Sequence, residues 1–140
     1  MKYLNVAEKH DAAKTISELL SNGTARRREG YSVYNKVFDF STIVKGKMCE
    51  MVMTSVSGHL LQLEFLLPYR TWNNIDPKLL FDAPIIKTCS ENFLPIKRTI
   101  EREIKSCSGL IIWTDCDREG ENIGYEIIQI CRITRKSENP

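Results

Sequence analysis

The stretch Thr114-Asp115-Cys116-Asp117-Arg118-Glu119-Gly120-Glu121 follows directly on a short apolar run, Leu110-Ile111-Ile112-Trp113. An unbroken run of that kind reads as a strand buried on both faces of a parallel sheet. Asp115, Asp117, Glu119 and Glu121 place four carboxylates within seven residues where that strand ends. In open α/β sheets ligands bind in the crevice at the carboxyl ends of the strands, so chemistry is expected here. Downstream, Ile123, Ile127, Cys131 and Thr134 recur at helical spacing, flanked by Ile128 and Ile130, and predict a helix leading away from the acids.

Asp115 and Asp117 are two residues apart and would point the same way if the extended backbone continued through Cys116. Two converging carboxylates repel unless one is protonated or a cation joins them. A hard divalent cation such as Mg²⁺ takes one or two protein carboxylates and completes its shell with waters and phosphate oxygens. Gly120 allows a tight turn or a close approach to a ligand. Glu119 and Glu121 also have a plainer reading, as first-turn acids that suit the positive end of a helix dipole.

From this stretch the reading extends to the rest of the chain. Tyr3, Leu4, Val6 and Ala7 form a first strand with Glu8 and Lys9 at its carboxyl end, although such a charged pair by itself is usually a solvated loop. Asp11 is the expected N-cap of a helix carrying Ala12, Ala13, Ile16, Leu19 and Leu20 and stopped by Asn22-Gly23. Arg26, Arg27 and Arg28 are expected in a loop, either as a solvated face or along a phosphate backbone. Tyr31 to Ser55 reads as β-rich with a hairpin turn at Lys45-Gly46-Lys47, and Met51, Val52 and Met53 read as core. Ser57-Gly58-His59-Leu60 marks a strand giving way to a loop, where His59 could simply donate to a carbonyl. Pro68 to Pro84 reads as an irregular excursion. Trp72 and Phe81 there are expected to pack rather than stack on bases, because each has a large apolar area to bury. Ser90 or Asn92 is expected to cap a helix bearing Ile96, Ile100 and Ile104. Lys97, Arg98, Glu101, Arg102, Glu103 and Lys105 decorate its solvated faces, and Ser108-Gly109 ends it.

At 140 residues the chain amounts to one domain, expected as a single unit over 1–140. A net charge of +2 is too balanced for a general polyanion binder, so any nucleic-acid contact must come from local clustering. The five cysteines contain no C-x-x-C pair, which points to reduced thiols of an intracellular protein rather than a zinc site or a disulfide framework. The apolar runs are too short to cross a bilayer and no signal peptide precedes Met1, so no membrane partner is expected.

Asp115-Cys116-Asp117-Arg118-Glu119-Gly120-Glu121 resembles the D-x-D-x-E-G-E signature of Toprim domains, in the form seen in type IA DNA topoisomerases. Asn5-Val6-Ala7-Glu8-Lys9 resembles the other half of that signature, an acidic residue ending the first strand. Thr54-Ser55-Val56-Ser57-Gly58-His59-Leu60 resembles a third segment of the same enzymes. The resemblance covers essentially the whole chain and is greatest to the eukaryotic topoisomerase III branch, with Arg26-Arg27-Arg28-Glu29-Gly30 favouring an alpha-like form.

The resemblance implies a Toprim fold, Rossmann-like, with a mostly parallel sheet flanked by helices and a β-rich, irregular insertion. It implies that the two acidic strands are neighbours, so that Glu8 faces the aspartate pair. One or two Mg²⁺ ions would be held by Glu8, Asp115 and Asp117 with support from Glu119. Glu8 and Lys9 would be catalytic; Lys9, His59 and Arg118 would meet DNA phosphate. The implied reaction is ATP-independent transesterification: a tyrosine attacks one strand, a 5′-phosphotyrosine link forms, a strand passes, and the break is resealed. None of Tyr3, Tyr31, Tyr34, Tyr69 and Tyr125 lies in a segment resembling the family's nucleophile region. The chain is therefore expected to be an N-terminal fragment, inactive alone. Single-stranded DNA, a RecQ-family helicase, an OB-fold accessory protein, recombination and repair, and a nuclear location are implied for the longer protein. Toprim acids also serve primases and nucleases, against which Ser-Gly-His-Leu and the Cys-Asp-Arg context argue; a non-catalytic Mg²⁺- or DNA-binding module is the third alternative.

Overall fold

A computed structural model describes residues 1–71, 73 and 75–138. Its centre is a five-stranded sheet of β1 (Lys2–Ala7), β2 (Arg26–Arg28), β3 (Val37–Val44), β4 (Lys47–Ser55) and β7 (Gly109–Trp113), in the order β2-β3-β4-β1-β7. β1 runs parallel to both β4 and β7, with Ala7 opposite Ser55 and Trp113, so three strands end together. β2 and β3 complete the sheet in antiparallel fashion. The other two strands, β5 (Gln62–Phe65) and β6 (Ile85–Thr88), pair antiparallel as a separate ribbon.

Alternation along β1 decides which layer each helix joins. Leu4 and Val6 face a core completed by Ile96, Ile100 and Ile104 of α2 (Leu94–Ile104) and Ile123, Ile127 and Ile130 of α3 (Arg118–Glu138). Tyr3 and Ala7 face the opposite core, with Ala13 of α1 (His10–Leu20), Phe38, Phe40, Met51 and Met53. The sheet is thus covered on both faces, as an α/β architecture requires. Burial pushes the Cys131 thiol up to about 12, so it acts as an inert apolar filler on the inner face of α3.

Several expectations are corrected by this arrangement. The 110–113 strand is β7, at the edge of the sheet and only half-buried, because one side of it has no paired neighbour among the described residues. Asp11 is not the N-cap of α1: that position is Lys9, and Asp11 lies in the first turn. Leu19 points to solvent. The helix does stop at Asn22-Gly23, both with positive φ. Arg26–Arg28 is the short strand β2 rather than a loop, and 31–36 is loop rather than strand. The hairpin turn is Lys45-Gly46, with φ of 48° and 77°, matching the twist of β3 and β4. Neither Ser90 nor Asn92 caps α2, whose N-cap position is Phe93: Ser90 precedes a short 3₁₀ turn over Glu91–Phe93 without a capping side-chain bond, and Asn92 lies within that turn. Ile104 ends α2, whereas Gly109 already belongs to β7. In the excursion Phe81, at the end of a 3₁₀ turn, is 92% exposed rather than packed; Trp72 lies outside the described residues. Arg70 is held by Glu64 and the Phe65 carbonyl.

Glu103 is also not solvated. It is buried, and Arg28 donates to it at 2.8 and 2.5 Å while reaching Asp39 at 2.5 and 3.1 Å. Arg102 adds a bond to Glu103 at 2.7 Å. Burial alone would raise the Glu103 carboxyl, but the Arg28 and Arg102 hydrogen bonds outweigh it and hold the group below the ordinary carboxylate range. One guanidinium therefore ties β2 to β3 and to α2.

Replacing Glu103 with Gln is expected to cost about 1.5–3 kcal/mol at neutral pH, the scale of a charged hydrogen bond. Because the folded state lowers this carboxyl, its contribution is full above the ordinary carboxylate range and is lost as pH falls through the folded value. Urea unfolding at a series of pH values should show wild type and Glu103→Gln converging in acid; a constant gap would contradict this assignment.

Candidate active site at the carboxyl edge of the sheet

The parallel ladder continues beyond the strands that define it. The Glu8 amide donates to the Trp113 carbonyl at 3.0 Å, and the Val56 amide donates to the Ala7 carbonyl at 2.8 Å. The end of β1 is thereby held between its neighbours. Trp113 Nε1 donates to Asn5 Oδ1 at 3.0 Å, which fixes the end of β7 against β1 from the other direction. The Glu8 side chain, only 15% exposed, then lies over the start of the acidic stretch, where its Oε2 accepts from the Asp115 amide at 3.1 Å. Lys9 Nζ stands 4.0 Å from Glu8 Oε1 and 3.9 Å from Asp115 Oδ2. Glu8, Lys9 and Asp115 thus form one charged group built from two adjacent strand ends.

Asp117 behaves differently. The extended backbone ends at Trp113, and bends at Cys116 and Asp117 turn the chain into α3. Asp117 Oδ1 accepts from the Gly120 amide at 2.7 Å, the bond of an N-cap side chain, and the Glu121 amide donates to the Asp117 carbonyl. The aspartates therefore do not converge through an extended Cys116: Asp115 meets Lys9, and Asp117 caps the helix. Gly120 serves a close approach of backbone rather than of ligand, because a Cβ there would overlap the Asp115 carbonyl oxygen. Thr114, Asp115, Cys116, Asp117, Arg118 and Glu121 line an open concavity at this edge.

His59 approaches from the loop after β4, beyond Gly58 with φ of 85°. Its Nε2 lies 3.8 Å from Glu119 Oε1, and its Nδ1 lies 3.1 Å from Glu126 Oε1. The partner of the ring is a carboxylate, not the carbonyl that the sequence reading allowed. Glu126 is buried, with Oε2 accepting from the Leu60 and Leu61 amides at 2.9 and 3.2 Å. Sequence reasoning passed over Glu126. Its signal was a carboxylate set between Ile123 and Ile127 on the apolar stripe of α3, seven residues beyond Glu119 and hence on the same helical face.

Of the residues singled out in the sequence, Glu8, Lys9 and Asp115 come together; Glu119 and His59 form a second contact on the first turn of α3; Arg118 and Glu121 line the concavity. Arg28 is engaged with Asp39 and Glu103. Among the described residues no cluster of three or more His, Cys, Asp or Glu side chains forms a ready metal cage. Hard oxygen donors at Glu8 and Asp115 nevertheless flank a single cation, the Lys9 ammonium, and a Mg²⁺ site requires only one or two protein carboxylates. The donor set therefore fits such an ion.

Comparison with known proteins follows this geometry. The Toprim domain family matches residues 4–139. DNA topoisomerase 3-alpha of Drosophila melanogaster is 68% identical over 135 residues, covering 96% of this chain and 11% of that protein. DNA topoisomerase 3-alpha of Homo sapiens is 56% identical, with coverage of 96% and 13%. DNA topoisomerase 3 of Saccharomyces cerevisiae is 41% identical, with coverage of 92% and 20%. The chain thus spans between about a tenth and a fifth of the length of these relatives.

The cap predicts a split between two substitutions. Asp117→Ala should lower stability by about 1 kcal/mol, whereas Asp117→Asn, which keeps an acceptor for the Gly120 amide, should cost only a few tenths. Gly120→Ala should cost about 1–3 kcal/mol through overpacking against Asp115. Chemical denaturation of the three variants checks this, and equal losses for Asp117→Ala and Asp117→Asn would show that charge rather than the cap is what matters at Asp117.

Proposed function

This chain belongs to the Toprim domain family, and from that premise we propose that it is the metal- and phosphate-binding Toprim domain of a longer type IA DNA topoisomerase of the topoisomerase 3-alpha kind. The observation that carries the proposal is the meeting of Glu8, Lys9 and Asp115 across two adjacent parallel strand ends. High identity to topoisomerase 3-alpha proteins over nearly the whole chain supports the choice among Toprim proteins. The activity belongs to the longer protein: transient cleavage of one DNA strand, passage of another, and religation.

In this reading the nucleophile is a tyrosine from outside this chain. Its phenolic oxygen gives up its proton to solvent and bonds to phosphorus, the P–O3′ bond breaks, and the departing 3′ oxygen leaves as a hydroxyl by taking up a proton. Glu8 is the general acid or base proposed for that 3′ oxygen, a role open to it when a neighbour raises its carboxyl and it is not itself ligating an ion. Lys9 places a positive charge on the phosphate oxygens as charge builds in the transition state. Arg118, which lines the concavity, and His59, beside Glu119 on the first turn of α3, bind the neighbouring backbone phosphates. Glu8 and Asp115 are the residues that would hold Mg²⁺, with Asp117 and Glu119 supporting from the first turn of α3. Bound there, Mg²⁺ would neutralise and orient the scissile phosphodiester. One or two ions are compatible with this donor set.

Single-stranded DNA is the proposed substrate, and a RecQ-family helicase with an OB-fold accessory protein are the proposed partners, in recombination and repair within the nucleus. No described helix is long and apolar enough to cross a membrane.

In an amide NMR titration with Mg²⁺, residues 8, 9 and 115–121 should shift together in the wild type and stay still in Asp115→Asn. In the longer protein, Glu8→Gln should lower the rate of DNA cleavage by about 10²- to 10⁴-fold, the range of general acid–base catalysis. The topoisomerase reading requires a denaturant-resistant covalent protein–DNA link. Metal-dependent nicking without such a link would replace it with a nuclease in which water attacks.

A further inference from the structure

Glu126 is a charged group where the helical pattern calls for an apolar one. Its side chain is 4% exposed and lies among Ile123, Ile127 and Leu60. Burying a carboxylate is costly unless hydrogen bonds replace its water. Here two donors and a ring nitrogen converge on it: the amides of Leu60 and Leu61 at 2.9 and 3.2 Å, and His59 Nδ1 at 3.1 Å. Packing alone would be served better by another isoleucine. What a carboxylate adds at this position is control over the loop and the ring that it holds.

We propose that Glu126 is a positioning residue that fixes the tautomer and direction of His59, so that Nε2 is the atom turned to the acidic edge. This rests on the reading of that edge as the reacting site. An ionised carboxylate only accepts hydrogen bonds, so the ring nitrogen beside it must carry a hydrogen. Neutral imidazole has one hydrogen, and with Nδ1 holding it, Nε2 presents a lone pair. That atom faces Glu119 Oε1 across 3.8 Å, a gap wider than a hydrogen bond. A neutral ring therefore offers an acceptor to a hydroxyl or water at the site, and a protonated ring offers a donor to a phosphate oxygen, in both cases through Nε2. Glu119 and Glu126 sit two turns apart on α3, so one rigid helix supplies the acid in front of the ring and the acid behind it. The two backbone bonds hold the loop after Gly58 against the same helix.

The chain has two histidines, His10 and His59, so imidazole ¹⁵N spectra of the labelled protein contain two rings. At alkaline pH the His59 ring should carry its proton on Nδ1. In Glu126→Gln the fixed Leu60 and Leu61 amides take the amide oxygen, the NH₂ group faces Nδ1, and the proton should move to Nε2. The His10 ring, stacked on Phe38 at 5.9 Å between centroids, should keep its signals and so report that the fold is intact. Placed in the longer protein, Glu126→Gln should slow DNA cleavage by about 10- to 100-fold, the range seen for partners that orient a working histidine. Combined with His59→Ala it should add no further loss. A wild-type ring protonated on Nε2, a tautomer indifferent to Glu126→Gln, or multiplying losses in the double variant would each overturn the proposal. The wild-type tautomer decides even if the variant does not fold. Absence of cleavage by the unmodified longer protein would instead remove the topoisomerase reading and leave the tautomer result standing.

Discussion

The hydrogen bond from the Glu8 amide to the Trp113 carbonyl is the constraint on which the rest of the edge depends. Parallel pairing makes β1 and β7 end together, so residues more than a hundred positions apart become neighbours without any flexible loop having to find the right place. Once that register is set, Glu8 reaches back to the Asp115 amide, and Lys9 stands within 4.0 Å of both carboxylates. A slip of one residue would turn Leu4 and Val6 away from α2 and α3, so the two cores hold the register that positions the charges.

The acidic stretch performs two tasks that its composition does not separate. Asp115 remains exposed at the edge and belongs with Glu8 and Lys9; Asp117 starts α3 and spends an oxygen on the Gly120 amide. Gly120 permits both, since the Asp115 backbone packs where any side chain on the helix would stand. Helix α3 then carries this order inward: Glu119 stays at the rim, Glu126 lies buried two turns below, and His59 spans them. The helix is the common support of the acids and of the loop opposite them.

The far side of the sheet is held by a different charge arrangement. Arg28 on the short strand β2 joins Asp39 and Glu103, which fastens the antiparallel end of the sheet to α2. The planar guanidinium suits this role because it bonds two carboxylates at once with fixed geometry. The first two arginines of the run remain exposed while the third is half-buried, a division set by the carboxylates that Arg28 finds in Asp39 and Glu103.

Local patterning by itself determined the elements that repeat: the apolar strand before the acids, the isoleucine stripes of α2 and α3, the methionine-rich core strand β4, and the stop of α1 at Asn22-Gly23. These are short-range consequences of side-chain period and backbone freedom, so they are legible wherever the period is clean. The acid motif with Glu8-Lys9 also carried the resemblance to the Toprim family, which the family match over residues 4–139 bears out. Tertiary structure alone decided what each charge touches. That Glu103 is buried against Arg28 and that Glu126 stands behind His59 depend on partners distant in sequence, whereas Asp117 caps α3 through Gly120, three residues on. A carboxylate looks the same in a sequence whether water, a guanidinium or an imidazole surrounds it; only the fold supplies the surroundings, and with them the energy that settles its role.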